Sequence, residues 1–297
     1  MSDDILIFDR NRVRANRDRA AARSGDHGFL QDWAARMLLS RLDDIKRRFP
    51  MAVSLGARGA ECFKGHDKIG TLVTMDLSLS PLRQGGGLRV QADEEMLPFA
   101  PESLDLVLSP LALHTVNDLP GALLQIRRAL KPDGLFLAAM LGGETLHELR
   151  LVMAEAEMNL RGGVSPRVAP FADKPETGAL LQRAGFNLPV IDSEIVTVTY
   201  DNAFRLMQDL RYMGEGNAIL LRDRAFAGRA FFMEAARLYQ EKFAESNGRI
   251  AATFEIIFMI GWAPHDSQQK PLRPGSAQFS LAERLGTKEI GTGEKIG

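Results

Sequence analysis

Cysteine is almost missing from this chain: Cys62 is its one copy in 297 residues. An intrachain disulfide framework and a cysteine-based zinc cluster are therefore excluded, and a reducing cytoplasm is the natural compartment. Charge of one sign is missing too. The 37 Lys and Arg against 38 Asp and Glu leave a formal net charge of −1, with no general pull toward nucleic acid or an anionic membrane. No apolar run reaches the length of an integral membrane segment. The acidic start "MSDDILIFD" does not read as a signal peptide or presequence, so a bacterial, cytoplasmic protein is expected. No internal repeat is visible. With 45% hydrophobic and 25% charged residues, the composition is that of a soluble globular protein, and the length suits one α/β core with an inserted or appended lobe.

What is present has order. Residues 8–23, "FDRNRVRANRDRAAAR", place Arg10, Arg14 and Arg17 about one helical turn apart. This predicts a solvent-rich helix and leaves two other uses open, contact with a partner or a cover over a cofactor. "FLQDWAARMLLSRLDDIKRRF" spaces Phe29, Trp33, Met37, Leu38 and Leu42 as an amphipathic helix closed by Pro50. Short β-rich runs then alternate with helical ones: "MAVSLG", "TLVTMD", "LRVQAD", "LDLVLS" and "LFLAAML", with "LPGALLQIRRAL" between the last two. That order predicts a parallel, doubly wound α/β sheet. Later come the helices "ETLHELRLVMAEAEMNL" and "ETGALLQRAGF", the strand "LPVIDSEIVTVTY", a helical stretch from 201 to 247, and the strand "ATFEIIFMIGWA". Five regions follow: a helical segment 1–50, a core 51–200, a helical lid 201–247, a last core strand 248–263, and a loosely held tail 264–297.

Ligands of doubly wound sheets bind beyond the carboxyl ends of the strands. Three features reach that edge. The turn "SLGARGA" carries Gly56 and Gly59, where the backbone can approach a ligand; no lysine–threonine pair follows, so it is not a P-loop. Asp76 ends "TLVTMD" twenty residues after Gly56, the usual place for a carboxylate on a ribose hydroxyl. Asp93, in "QADEEMLPF", ends strand three and can accept a hydrogen bond from an adenine amino group. Each is weak alone, and together they point to a nucleoside-type cofactor.

Strand–"LGARG", "MDLS", "ADEEMLPFAPESLDLVLSPLALHTVNDLP" and "LKPDGLFLAAMLGG" together resemble a class I S-adenosylmethionine-dependent methyltransferase. With "FDR", "GGETLHELR", "GGVSPRVAPF", "LMQDLRYMGEGN" and "MIGWAPHDSQ", nearly the whole chain resembles the complex I assembly factor 5 type, a mitochondrial protein arginine hydroxylase. That type is related to the malonyl-carrier-protein methyltransferases of biotin synthesis. The resemblance implies a Rossmann-like class I methyltransferase fold: a mostly parallel seven-stranded sheet, its last strand antiparallel, with N-terminal helices and a helical lid insertion. It implies S-adenosyl-L-methionine as cofactor, with Asp76 at the ribose hydroxyls, Asp93 at the adenine amino group, Glu94 and Met96 flanking adenine, and Gly56 beside the methionine end; Ser54, Arg58, Gly59 and Leu77 are further candidate cofactor-binding residues. The family pattern has an acid and three glycines where this chain has Ser54 and "GARGA". Arg58 then either pairs with the methionyl carboxylate or points into water.

Methyl transfer from a sulfonium needs alignment above all, and a base only when the nucleophile is protonated. His114, just after strand four, is a candidate base or substrate contact; the plain alternative is a cap on the next helix with Asn117 and Asp118. Glu144 and Glu148 stand one turn apart with Arg150 near, and either grip a cationic guanidinium or form an ordinary acidic helix start. The five histidines show no facial-triad spacing, so no metal is expected, and hydroxylation rests on the resemblance alone. Three functions remain in view: a protein-modifying enzyme acting on a complex I subunit, a carrier-protein or small-molecule carboxyl methyltransferase, and a non-catalytic assembly chaperone with weakened cofactor binding.

Overall fold

The computed structural model describes residues 6–23, 27–269 and 281–288. The chain divides into a compact unit, Met1–Pro264, and a second unit, His265–Gly297. In the second unit the described residues hold a turn closed by Gln268 N–H on the His265 carbonyl and the short helix Leu281–Leu285. The loose tail expected over 264–297 falls largely outside the described residues.

In the first unit seven strands form one sheet, β1 (Phe49–Leu55), β2 (Ile69–Asp76), β3 (Leu88–Gln91), β4 (Leu104–Pro110), β5 (Leu130–Leu141), β6 (Asn187–Tyr200) and β7 (Ile250–Trp262), in the order β3-β2-β1-β4-β5-β7-β6. The first five are parallel, and β7 runs antiparallel to β5 and β6. The expected topology therefore stands, and its switch point lies where the order turns from β1 to β4.

Strand burial on both faces follows from the sequence. β4, "LDLVLSP", is buried at every position, as parallel strands covered on both sides must be. Leu106 and Leu108 face one core with α2 (Phe29–Asp43), α5 (His147–Arg161) and α8 (Arg229–Phe243). Val107 faces the other, with α4 (Leu119–Ala129) and α6 (Lys174–Arg183). α3 (Leu79–Gln84) follows β2, and α7 (Ala203–Met213) begins the helical stretch after β6, where the Tyr200 hydroxyl donates to Asp209 at 2.8 Å.

Two local readings need correction. α2 ends at Asp43, and Pro50 is the second residue of β1, not the stop of a helix; proline is tolerated near a strand start. α1 (Arg10–Ala21), capped by the Asp9 side chain on the Arg12 N–H, is not solvated all round: Asn16 and Arg17 are buried in it. The segment leading into α1 pairs with the loop after α7, with Phe8 bridged to Ile219 and the N–H groups of Ile7 and Phe8 both donating to Asn117.

Candidate active site

The turn after β1 takes two left-handed residues, Gly56 (φ 94°) and Gly59 (φ 80°). Both are demanded by packing as well. A Cβ on Gly56 would lie 3.1 Å from the Ala112 Cβ, and one on Gly59 would lie 3.0 Å from the Gln31 carbonyl oxygen. Ser54 is fully buried and donates to the Gly56 carbonyl at 3.2 Å, bracing the turn from inside. Asp76, at the end of β2, ties this turn down: it accepts from Ala57 N–H at 2.9 Å and from Ser78 N–H at 2.8 Å. Leu77 packs beside Phe8, Val13 and Ala218.

Two arginines of α1 stand on the carboxylates of this edge. Arg17 donates to Glu94 at 2.5 Å and to Asp76 at 3.2 Å. Arg10 reaches Asp93 at 2.5 Å, pairs with Glu94, and donates to the Thr115 carbonyl at 3.0 Å. Burial pulls the Arg17 guanidinium down, but Glu94 and Asp76 outweigh it and hold its pKa above the ordinary value. Burial pushes the Asp93 carboxyl up, and Arg10 with the Glu95 N–H pulls it further down, to below the usual carboxylate range. Asp93 lies two residues beyond β3, not at its end. Met96 follows on a turn closed by its N–H on the Asp93 carbonyl and is 76% exposed.

The donor chemistry of this edge fits S-adenosyl-L-methionine. Ionised carboxylates only accept hydrogen bonds, and a ribose diol and an adenine amino group are donors, as the guanidiniums of Arg10 and Arg17 are. A nucleoside reaching Asp76, Asp93 and Glu94 must share them with α1 or move it.

Arg58 does not point into water. It donates to the Met213 carbonyl at the end of α7 and lies 3.7 Å from Glu215. Burial pushes its pKa down, below the ordinary arginine value. Glu215 in turn sits 3.0 Å from His114 Nε2. His114 is therefore no helix cap; Asp118 caps α4 through the Gly121 N–H. His114 and Glu215 close one end of a cavity of about 240 Å³ whose walls include Leu141, Met153, Phe171 and Phe254.

Glu144 and Glu148 are not part of that cavity. Glu144 is exposed. Glu148 is buried and bonded to the Thr253 hydroxyl and N–H, so it fastens α5 to β7. Arg150 spends its guanidinium on the carbonyls of Thr145 and Ala169. Among the described residues no three His, Cys, Asp or Glu side chains are grouped as metal ligands would be, and no helix is long and apolar enough to cross a membrane. The residues that sequence reasoning missed are Arg10, Arg17 and Glu215. The spacing of the α1 arginines was the available signal for the first two.

A methyltransferase-domain family model matches residues 55–138, the stretch from the glycine turn through β5. Sheet order and strand-end site thus define a class I methyltransferase-type enzyme, and S-adenosyl-L-methionine is the cofactor that goes with such a domain. A solved methyltransferase structure from Bacillus halodurans has the same fold, with TM-score 0.54 and 17% identity over 78% of this chain and 99% of that one. Arginine-hydroxylase NDUFAF5, mitochondrial, of Danio rerio is 40% identical over 93% of this chain and 89% of its own length. Malonyl-[acyl-carrier protein] O-methyltransferase of Methylovorus sp. (strain MP688) is 34% identical over 94% and 97%. The chain belongs to the family these two relatives share, that of arginine-hydroxylase NDUFAF5 and the malonyl-carrier-protein methyltransferases.

Proposed function

We propose that this chain is an S-adenosylmethionine-dependent enzyme that modifies an arginine side chain of a protein substrate, in the assembly of respiratory complex I. The observation that carries the reading is the likeness to the arginine-hydroxylase relatives, 40% identity over 93% of the chain, against 34% for the carrier-protein methyltransferase. In this reading Asp76 holds the ribose hydroxyls, Asp93 and Glu94 the adenine edge, and the Gly56–Gly59 turn lies against the methionine end. The bound cofactor supplies an electrophilic methyl group. The chain's own residues bind, orient and exclude water: α1 covers the nucleoside side, and the apolar cavity beside His114 receives the acceptor.

A second reading, carboxyl methylation of a carrier-bound acid, is favoured by Arg211 and Arg167, both of which line the same cavity and would attract a carboxylate. The two separate by experiment. The purified chain is incubated with S-adenosylmethionine and isolated complex I subunits, and the products are mapped by peptide mass spectrometry. A methyl or hydroxyl increment on an arginine is the expected result. Methyl ester formation on a malonyl-loaded carrier protein, with arginines unchanged, would replace the first reading by the second.

A further inference from the structure

α7 and α8 enclose an open groove of about 650 Å³. Its floor is apolar: Met207 and Phe232 pack on the core below, while Phe204 and Met233 stand 44% and 50% exposed. Its charge is of one sign. Arg211 and Arg229 line it, and no Asp or Glu does. Neither arginine has a carboxylate partner among the described residues. The acids of the two helices are committed elsewhere, Asp209 to the Tyr200 hydroxyl and His27, Glu234 and Glu241 to Arg237. Further cations gather beside the groove. Arg23 lies over the Tyr212 ring at 5.0 Å and donates to its hydroxyl at 2.9 Å. Burial, and after it the charges of Arg12 and Arg211, push the Arg19 guanidinium below the ordinary arginine value, so the cations of α1 stand close enough to Arg211 for the charges to repel. Such self-repulsion destabilises the folded chain, and an anion in the groove relieves it.

Groove and acceptor cavity share a wall, since Met207, Arg211 and Phe232 line both. We propose that the groove docks an acidic amphipathic segment of the protein substrate. The segment lays apolar side chains on Phe204, Phe232 and Met233 and sets carboxylates on Arg19, Arg211 and Arg229, beside the cavity that receives the acceptor. The inference rests on the proposed function in taking the acceptor as part of a protein. Three features select this occupant. Guanidiniums grip carboxylates with paired N–H donors, whereas a basic segment would meet like charge at every arginine. Apolar anchors set between the cations suit side chains recurring one turn apart, as in a helix laid into a groove. The hollow is open, whereas a small ligand takes an enclosed site that buries most of its surface.

The test is fluorescence anisotropy on the whole chain with labelled peptides of one length. One has glutamate and leucine at helical spacing, one has glutamine and leucine in the same pattern, and one has glutamate with serine. The glutamate–leucine peptide should bind, more weakly as salt rises, and the other two should bind at least about tenfold more weakly. Equal binding of the glutamine–leucine peptide would overturn the acidic assignment without any variant having to fold. The double variants Arg19→Glu/Arg229→Glu and Phe204→Ser/Met233→Ser change residues outside the acceptor cavity. Each should lose about tenfold or more in peptide affinity, while Arg128→Glu, an exposed charge reversal on α4, should lose none. Equal loss in all three, or loss in none, would remove the groove from the proposal. Phosphatidylglycerol vesicles that bind where the glutamate–leucine peptide does not would replace the protein segment by a lipid surface. Arginine mapping on complex I subunits separates the two proposals. Subunits left unmodified by the parent, with peptide binding intact, would count against the proposed function alone. Subunits modified equally by the parent and by Arg19→Glu/Arg229→Glu would count against the docking groove alone.

Discussion

Arg17→Met removes the single cation that lies between Asp76 and Glu94. The three side chains are 9%, 4% and 0% exposed, so water cannot take over what the guanidinium did. Methionine keeps most of the side-chain volume, which isolates the charge term. Breaking a buried pair by removing one partner costs about 3–5 kcal/mol, because the other charge is left without compensation. Asp76 retains its two backbone N–H donors and Glu94 retains Arg10, which places the expected loss toward the lower end. For a domain of this size each kcal/mol lowers the melting temperature by about 2–4 °C, so a loss of about 3 kcal/mol should lower the melting point by about 6–12 °C. Differential scanning calorimetry at neutral pH reads this directly. The deficit should shrink as acid protonates the stranded carboxylates, and adding Glu94→Gln should restore part of it. With the guanidinium gone, S-adenosylhomocysteine no longer competes with Arg17 for Asp76, and its stabilising increment should exceed that in the parent. A variant that melts with the parent would refute the claim that Arg17 neutralises this edge. A lower melting point with a smaller ligand increment would show instead that Arg17 helps to hold the cofactor.

Asp76→Ala should weaken S-adenosylhomocysteine binding by about 1–3 kcal/mol through lost hydrogen bonds, read by calorimetry; unchanged affinity would remove Asp76 from the site. Asp93 should act on the acid side. Its folded carboxyl titrates below the ordinary 3.8 of a free Asp side chain, so its stabilising contribution is complete above that value and disappears as pH falls through the folded one. Asp93→Asn should flatten the stability curve below about pH 4, and an unaltered acid limb in chemical denaturation would contradict the Arg10 pairing. Glu148→Gln should cost about 1–3 kcal/mol of stability by weakening its bonds to Thr253 and leave ligand affinity unchanged. Loss of affinity would return Glu148 to the functional site.

The strands and their parallel, doubly wound layer were legible because each strand has its own signal, while the seven-stranded sheet with its antiparallel last strand came from the family resemblance. β4 and the second half of β5 are mostly apolar runs of strand length, and the glycine turn and Asp76 fall at the ends of β1 and β2, with Asp93 two residues beyond β3, where a doubly wound topology brings them together. The partners of those residues were not legible. Arg10, Arg14 and Arg17 have the spacing of an exposed helical face, and nothing local says that this face meets carboxylates 59 to 84 residues away. Glu144 and Glu148 failed for a related reason. One turn apart on a helix start, they read as a pair, but the chain bends between them: Leu146 takes φ 54° before α5 begins at His147, so Glu144 goes to solvent and Glu148 into the β7 contact. Local periodicity predicts which face a side chain is on, and only the tertiary fold decides what covers that face.

The departure at "GARGA" shows the same division between local and tertiary causes. By itself, a glycine turn with Arg58 in it reads as an eroded cofactor site, because a bulky cation stands where the backbone should approach a ligand. In the folded chain Arg58 leaves the turn altogether and spans to the end of α7, where it holds the Met213 carbonyl and faces Glu215. Gly214, next to them, takes φ 82°, and a Cβ there would come 3.2 Å from Arg58 Nη2, so "MGEGN" is shaped to admit that guanidinium. The arginine thus joins the glycine turn to the carboxylate that pairs with His114. The substitution that reads locally as loss of a binding turn is, in its tertiary setting, a strut from that turn to the end of α7.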